Sequence, residues 1–309
     1  MRALFFGTPD IAVPSLRALA TVADVAAVVC QPDRPAGRGL KLQAPAVKQA
    51  AIELGIPVEQ PTKIRTPEFL AWITERRADV ALVLAYGRIL PPAVLAAPAR
   101  GCLNLHASIL PRYRGAAPIN WAIARGETET GMSLMQMDEG LDTGPVFSVR
   151  RIPIGENETA GELAVRLGAL AADLVTSDVP RVVRGELTAA PQDHAAATLA
   201  PLLEKEQGRV DWQKSAAEVH DHVRGMTPWP SAFTRVGDKM LKILATRRST
   251  LASHGEPPGT ILAADAGGVV IACASGVLEL LRAQVEGKKP LDARDLVAGR
   301  TLTRGLRLG

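Results

Sequence analysis

The stretch CLNLHASILPRYRGAAPI, residues 102–119, begins as an apolar β-strand and ends on polar side chains followed by a proline. Asn104, His106 and Ser108 occupy alternate positions, and side chains two residues apart on an extended chain lie on the same face. A single Asn or His at a strand end most often only satisfies a turn. An amide and an imidazole on one face together indicate a site that binds or transforms a ligand.

The segments on either side of this strand alternate between two patterns. Apolar runs of strand length occur at residues 3–6, 25–30 and 80–85, with amphipathic stretches between them at 11–20, 45–55 and 67–76. Strands that are apolar on both faces and separated by helices are typical of a parallel sheet covered on both sides. The sequence therefore predicts an α/β, doubly wound, mostly parallel sheet of the Rossmann-like type. Ligands bind such sheets at the carboxyl ends of the strands, where Asn104 and His106 stand.

The second half of the chain has a different pattern. A strand is predicted at residues 146–152 and a helix at 159–184, and Thr159 with Glu162 forms a capping-box signature at its start. A segment rich in Ala, Pro and Thr follows, and then a short helix at 215–224. Short strand-like runs separated by Gly and Asp come last and indicate a small β-barrel: 231–236, 240–245, 259–262, 269–274 and 277–284. We predict a catalytic domain at 1–188, a linker at 189–208 and a C-terminal domain at 209–309.

Composition and charge narrow the function classes. The chain has 309 residues, of which 47% are hydrophobic and 22% charged, as expected of a globular protein. Three widely spaced cysteines and a very short apolar run at the start favour the cytoplasm, without a signal peptide or membrane anchor. Residues 1–200 carry 20 Lys and Arg against 20 Asp and Glu, while 201–309 carry 16 against 12. The net charge of +4 thus lies in the last third, which hints at a polyanionic partner.

Several common chemistries lack their motifs in this chain. The first strand ends in FGTPD and not in a GxGxxG turn, and no GxxxxGK[ST] phosphate loop occurs. No His and Cys cluster has metal-binding spacing, so no metal is expected. Ser108 lacks the GxSxG context of a serine hydrolase. A second polar cluster, DEGLDTG at residues 138–144, offers Asp142 as a partner for His106, although its spacing alone does not prove contact.

Motifs along most of the chain resemble those of the folate-dependent formyltransferases, and in particular their tRNA-directed members. They are FGTPDIAVPSL, QPDRPAGRGLKLQAPAVK, VLAYGRILP, NLHASILPRYRGAAPI, MQMDEGLDTG, RVDW and PWPSAF. The resemblance implies transfer of a formyl group from 10-formyltetrahydrofolate to the α-amine of methionine on initiator tRNA. It also implies a C-terminal OB-fold-like barrel that helps to hold the tRNA, and a monomeric protein.

The resemblance also implies roles for individual residues. Asn104 and His106 would donate hydrogen bonds to the oxyanion of a tetrahedral intermediate, and Asp142 would orient His106 and accept the amine's proton. The pterin ring would lie against two segments: Ser108, Ile109, Leu110 and Pro111, and Arg88, Ile89 and Leu90.

The tRNA contacts would come from two regions of the chain. The basic loop after the second strand, whose Pro and Gly content argues against regular structure, would order over the acceptor stem with Arg38 and Lys41. Lys205 is the strongest candidate for a phosphate contact outside this loop. Weaker candidates are Arg247, Arg248, Lys288 and Lys289.

Other functions on the same core remain open at this point. A purine-pathway or nucleotide-sugar formyltransferase, or a formyl-folate hydrolase, would also retain Asn104, His106 and Asp142. The basic loop and the C-terminal barrel argue against these enzymes, most clearly against the purine-pathway one. A non-catalytic tRNA-binding protein would be expected to have lost one of the three residues, and FGTPD disfavours a dinucleotide-dependent oxidoreductase.

Overall fold

A computed structural model describes residues 1–36, 41–249, 251 and 255–309. The chain forms two compact units, each built from several segments. The first unit comprises Met1–Ala116, Thr130–Ile152 and Ala164–Pro201, and the second comprises Ala117–Glu129, Pro153–Leu163 and Leu202–Gly309. The sequence predicted contiguous domains, and the boundaries at 188 and 208 remain a proposal.

The helices and strands are numbered here in chain order, over the described residues. The α-helices are α1 Val13–Val22, α2 Ala46–Glu53, α3 Pro67–Glu75, α4 Pro92–Leu95, α5 Pro118–Ala124, α6 Ala160–Ser177, α7 Val179–Val183, α8 Ala216–Gly225 and α9 Ala293–Ala298. Strands β1 to β9 are Arg2–Gly7, Asp24–Val29, Arg34–Ala36, Lys41–Gln43, Val58–Glu59, Val80–Leu84, Cys102–His106, Glu129–Gln136 and Val146–Pro153. Strands β10 to β15 are Ala232–Val236, Lys239–Arg248, Ile261–Asp265, Gly268–Ala272, Val277–Val285 and Leu291–Asp292. Short 3-10 turns occur at Asp10–Ala12, His194–Ala196 and Lys205–Gly208.

The first unit is built on a seven-stranded sheet in the order β5-β2-β1-β6-β7-β8-β9. In this order, the first five strands (β5, β2, β1, β6 and β7) pair in parallel, whereas β8 runs antiparallel to β7. All five residues of β6 are buried, because side chains on both faces of this central strand are covered. The predicted doubly wound, mostly parallel sheet is therefore confirmed. The strand order reverses between β1 and β6, where ligands bind in folds of this type.

The helix predicted at 159–184 is divided in two. Its capping box is present: the Glu162 backbone N–H donates to Thr159 Oγ1 at 3.3 Å, and the Thr159 N–H donates to Glu162 Oε2 at 2.9 Å. The chain leaves the helix after Ser177 and starts α7 at Val179. Pro180 explains the break, since it lacks an N–H to continue the hydrogen-bond pattern and favours the first turn of a new helix.

The basic loop contains more regular structure than the sequence predicted. Strands β3 and β4 form a two-stranded antiparallel ribbon, in which Arg34 pairs with Gln43 and Ala36 with Lys41. Pro35 is tolerated there because each strand of a two-stranded ribbon is an edge, which can accept a residue without an N–H. The expectation that this loop lacks regular structure was therefore wrong at its two ends.

The second unit contains an antiparallel sheet in the order β10-β11-β14-β13-β12, with β15 paired to β14. Its core includes Trp212, Ile243 and Leu280, all buried. The Trp212 indole N–H donates to Thr234 Oγ1 at 3.1 Å, so this buried ring also has its polar atom satisfied. The expected small C-terminal β-domain is confirmed as an antiparallel sheet, but over the described residues its strand pairing follows an open path from β10 to β12 and does not close into the predicted barrel.

Among the residues that the structure describes, no helix combines the length and apolarity needed to cross a membrane.

Candidate active site

Three polar residues predicted from the sequence come together in the first unit. Asn104 and His106 lie on β7, and Asp142 lies in the loop that follows β8. The Asp142 carboxylate is approached by Asn104 Nδ2 at 3.4 Å, by His106 Nδ1 at 3.5 Å and by the backbone N–H of Gly115 at 2.8 Å. The structure thus joins residues 38 positions apart into one cluster at the carboxyl end of a sheet strand.

The turn after β7 fixes His106 from its other side. The Ser108 N–H donates to the His106 carbonyl at 2.9 Å, and Ser108 Oγ donates to the Arg112 carbonyl at 2.6 Å. The chain then folds back so that His106 Nε2 lies 2.8 Å from the Tyr113 carbonyl oxygen. A carbonyl can only accept a hydrogen bond, so Nε2 carries the hydrogen and Nδ1 is the nitrogen that faces Asp142.

The Asp142 loop is held by a residue that the sequence placed in a linker. Gln192 Nε2 donates to the carbonyl oxygens of Asp142 at 2.8 Å and Gly144 at 2.7 Å. Its Oε1 accepts from the Arg114 guanidinium, whose Nη2 lies 2.7 Å away. No local sequence signal marks Gln192, because its partners lie about 50 and 80 residues earlier in the chain.

The segment predicted to contact the pterin after β7 is mostly turned inward. Ser108 and Leu110 are buried, and the Leu110 N–H donates to Ser133 Oγ on β8 at 3.2 Å. Ile109 and Pro111 are partly exposed. Ser108 and Leu110 therefore shape the turn, while Ile109 and Pro111 offer apolar surface that a ligand could contact.

The second predicted pterin segment divides in a similar way. Arg88 Nε donates to Gln31 Oε1 at 3.0 Å, and its Nη1 donates to the Thr62 carbonyl at 2.9 Å. Leu90 is part of the hydrophobic core, whereas the Ile89 side chain is 72% exposed. Arg88 thus connects neighbouring loops, and Ile89 is the apolar side chain of this segment that is open to a ligand.

The predicted tRNA contacts fall in several places. Arg38 lies outside the described residues, and Lys41 is the first residue of β4. Lys205 is exposed and begins a 3-10 turn in the second unit. Two weaker candidates already pair with carboxylates, Arg247 with Glu279 at 2.7 Å and Arg248 with Glu156, while Lys288 and Lys289 are exposed.

A cysteine with a buried thiol lies on the same strand as His106. Burial raises the pKa of the Cys102 thiol, on the same strand as His106, to about 12, so a thiolate nucleophile is disfavoured there. Within the described parts of the chain, no group of three or more His, Cys, Asp or Glu side chains is arranged to hold a metal ion.

Comparison with known proteins identifies the class. Residues 1–178 match the family described as formyl transferase, and residues 202–301 match the formyl transferase C-terminal domain. The chain therefore belongs to the formyltransferase family. It is 66% identical over 310 residues to the methionyl-tRNA formyltransferase of Sorangium cellulosum (strain So ce56), with 100% of both chains covered. It is 48% identical to the methionyl-tRNA formyltransferase of Myxococcus xanthus (strain DK1622), covering 98% of this chain and 96% of the relative.

Solved structures share the fold at much lower identity. WlaRD, a sugar 3N-formyl transferase, is 17% identical with a TM-score of 0.67, covering 94% of this chain and 99% of that chain. HypX from Aquifex aeolicus in complex with tetrahydrofolic acid is 20% identical with a TM-score of 0.63, covering 98% of this chain and 48% of HypX. This chain thus spans about half the length of HypX, and both likenesses concern the fold alone.

Proposed function

We propose that this protein transfers the formyl group of 10-formyltetrahydrofolate to the α-amine of methionine esterified to initiator tRNA. The observation that carries the proposal is the convergence of Asn104 and His106 on the Asp142 carboxylate within 3.5 Å. It occurs in a chain that is 66% identical along its whole length to a methionyl-tRNA formyltransferase.

The reaction is an acyl transfer with a balanced movement of protons. The amine nitrogen attacks the formyl carbon, the carbonyl oxygen becomes an oxyanion, and the bond between that carbon and N10 of the folate then breaks. The amine loses one proton, and N10 gains one as it leaves. A donor aimed at the oxyanion contributes about 10²–10³ in rate, and a base aimed at the amine about 10²–10⁴.

Asn104 and His106 would meet the oxyanion, each with a different constraint. An amide carries two hydrogens, and Asn104 needs only one of them for its long contact with Asp142. His106 Nε2 is committed to the Tyr113 carbonyl, so any hydrogen that this ring gives to the substrate must come from Nδ1. Nδ1 also faces Asp142, so the carboxylate would orient the imidazole and, directly or through water, take up the proton that the amine loses.

The folate would lie against the apolar surfaces next to this cluster. Ile89, Ile109 and Pro111 have exposed or partly exposed side chains and could contact the two faces of a flat ring. Ser108, Leu110, Arg88 and Leu90 would act by fixing the two segments in place, in keeping with their buried or hydrogen-bonded side chains.

The tRNA would be held by basic residues away from the reacting atoms. We assign this role to Arg38 and Lys41 in the basic loop, and to Lys205 in the second unit. The positive excess in residues 201–309 supports a partner with a phosphate backbone. A monomeric, cytoplasmic enzyme fits a substrate that is itself a soluble tRNA.

An acceptor panel tests this function. Formyl transfer from 10-formyltetrahydrofolate would be measured with methionyl initiator tRNA, free methionine and a nucleotide-sugar amine, at low and moderate salt. We expect rapid formylation of the charged tRNA alone, and a rate at subsaturating tRNA that falls as salt rises. Transfer to a small amine, or release of free formate only, would contradict the assigned acceptor while retaining the formyl chemistry.

A further inference from the structure

Gln192 donates both hydrogens of its side-chain amide to the loop that carries Asp142. Its Nε2 lies 2.8 Å from the Asp142 carbonyl oxygen and 2.7 Å from that of Gly144. Gln192 is only 9% exposed, so water does not compete freely for these hydrogen bonds. One amide group therefore bridges the two ends of a three-residue turn.

Arg114 fixes the direction in which Gln192 points. Its Nε and Nη2 both donate to Gln192 Oε1, at 3.1 and 2.7 Å, and Nη2 also lies 3.2 Å from His194 Nδ1. Arg114 is only 6% exposed, and a buried guanidinium needs such acceptors. Because the oxygen of Gln192 faces the cation, its nitrogen must face the two carbonyl groups.

The residues beside Arg114 are the ones that contact the catalytic pair. The Tyr113 carbonyl accepts from His106 Nε2, and the Gly115 N–H donates to Asp142 Oδ2. The same short segment is paired with residues beyond Gln192, because the Arg114 N–H donates to the Thr198 carbonyl at 2.9 Å. A displacement of Gln192 would thus shift the positions of both the His106 imidazole and the Asp142 carboxylate.

The backbone of Asp142 adopts a conformation that benefits from such support. Its φ is +53°, in the left-handed region that Asp enters more readily than most residues with a Cβ but that is still uncommon, and the adjacent Leu141 is exposed. We propose that Gln192 is a positioning residue that holds the Asp142 carboxylate at His106, with Arg114 as the buried cation that orients it. This inference rests on the proposed formyl transfer, because it assigns a purpose to the same site.

Gln192→Glu separates positioning from general stability. A glutamate keeps the oxygen that Arg114 needs and adds a charge that pairs with the buried guanidinium, but it has no hydrogens for the two carbonyl groups. We expect a thermal midpoint within a few degrees of wild type, and a kcat about 30- to 100-fold lower with KM for both substrates within about twofold. Gln192→Met, which also removes the oxygen that accepts two hydrogen bonds from Arg114, should lower both the kcat and the thermal midpoint.

A double-mutant cycle tests whether the effect passes through Asp142. Residual activity would be measured under single-turnover conditions with excess enzyme, in Asp142→Ala with and without Gln192→Glu. Residues that act as a unit are strongly non-additive, so Gln192→Glu should cost less than about threefold in this background. Asp193→Asn is the matched control, because it changes the neighbouring residue and only a turn contact with Ala195 N, and it should retain wild-type kcat.

The outcomes distinguish this inference from the proposed function. If Gln192→Glu retains wild-type kcat, or if the two substitutions are additive, Gln192 does not position Asp142 and the inference fails alone. If wild type does not formylate methionyl-tRNA, the proposed function fails and the inference with it. A kcat loss that appears only together with a matching loss of thermal stability would assign Gln192 a structural role and would also overturn the inference.

Discussion

Gly144→Ala should disable the site without touching any of its polar side chains. A Cβ at Gly144 would lie 2.0 Å from the Gln136 carbonyl oxygen, where real Cβ contacts are essentially never below 3.0 Å, so the two segments must separate by at least 1.0 Å. Gln136 ends β8 and is paired with Leu103 on β7, so the sheet cannot yield easily. The displacement therefore falls on the loop that carries Asp142.

A misplacement of this size has a predictable cost in rate. A shift of about 1 Å in a catalytic group costs about 10²-fold, which corresponds to about 2.7 kcal/mol of transition-state stabilisation. The assay is steady-state formylation of methionyl-tRNA, with kcat and both KM values determined. We expect the loss mainly in kcat, because the role proposed for the displaced Asp142 carboxylate is at the reacting atoms and not at the parts of the substrates that bind elsewhere.

Gly185→Ala is the matched control for this substitution. Gly185 follows α7 in the same unit, its φ is +76°, and a Cβ there would meet no atom within 4 Å. The Gly185→Ala variant should therefore lose roughly 1–2 kcal/mol of folding stability, because alanine is strained in a left-handed backbone conformation, and its kcat should be unchanged. A wild-type kcat in Gly144→Ala, or an equal loss of kcat in Gly185→Ala, would refute the positional argument.

Three further predictions concern the second unit. Lys205→Ala should raise KM for the tRNA with kcat unchanged, and it should reduce by about 1 the slope of the logarithm of the tRNA binding constant against the logarithm of salt concentration. An unaltered slope in a salt series would exclude a phosphate contact. Leu280→Ala, at a position 1% exposed on β14, should cost about 2–5 kcal/mol in chemical denaturation, and a loss well below that would contradict its place in the core. Burial lowers the pKa of the His220 imidazole below its ordinary 6.5, so as the pH falls the imidazole of the unfolded chain is protonated before that of the folded chain. The free energy of unfolding is therefore unaffected by this group above pH 6.5 and decreases as the pH falls toward the pKa of the folded state. Melting curves across this range should show a smaller decrease in thermal midpoint with falling pH for His220→Gln than for wild type, and parallel decreases would disprove the prediction.

Local patterns in the sequence were sufficient for the parallel part of the sheet. The runs at 3–6, 80–85 and 102–105 are apolar at every position or nearly so, and they become the adjacent central strands β1, β6 and β7. Asn104 and His106 were found because a period of two is fixed by strand geometry. These features depend on neighbouring residues, which a sequence displays directly.

The features that the sequence did not reveal depend on long-range contacts. Strand β8 was not separated from the polar cluster after it, since its antiparallel pairing with β7 is made across a long connection, residues 107–128, that contains α5. Gln192 was assigned to a linker because Ala, Pro and Thr around it resemble one, yet its hydrogen bonds join it to Arg114 and Asp142. Which carboxylate of residues 138–142 meets His106 is likewise decided by the loop backbone and not by spacing.

The most direct test of the account is the rate of formyl-methionyl-tRNA formation by wild type and by His106→Ala, measured in parallel with 10-formyltetrahydrofolate. The imidazole lies between the Tyr113 carbonyl and the Asp142 carboxylate, and we assign it the contact to the oxyanion, with Asp142 taking up the amine's proton. The account predicts rapid formylation by wild type and a loss of at least about 10²-fold in kcat for the variant, with the fold intact. Near wild-type turnover by His106→Ala, or no formylation of the charged tRNA by wild type, would contradict it.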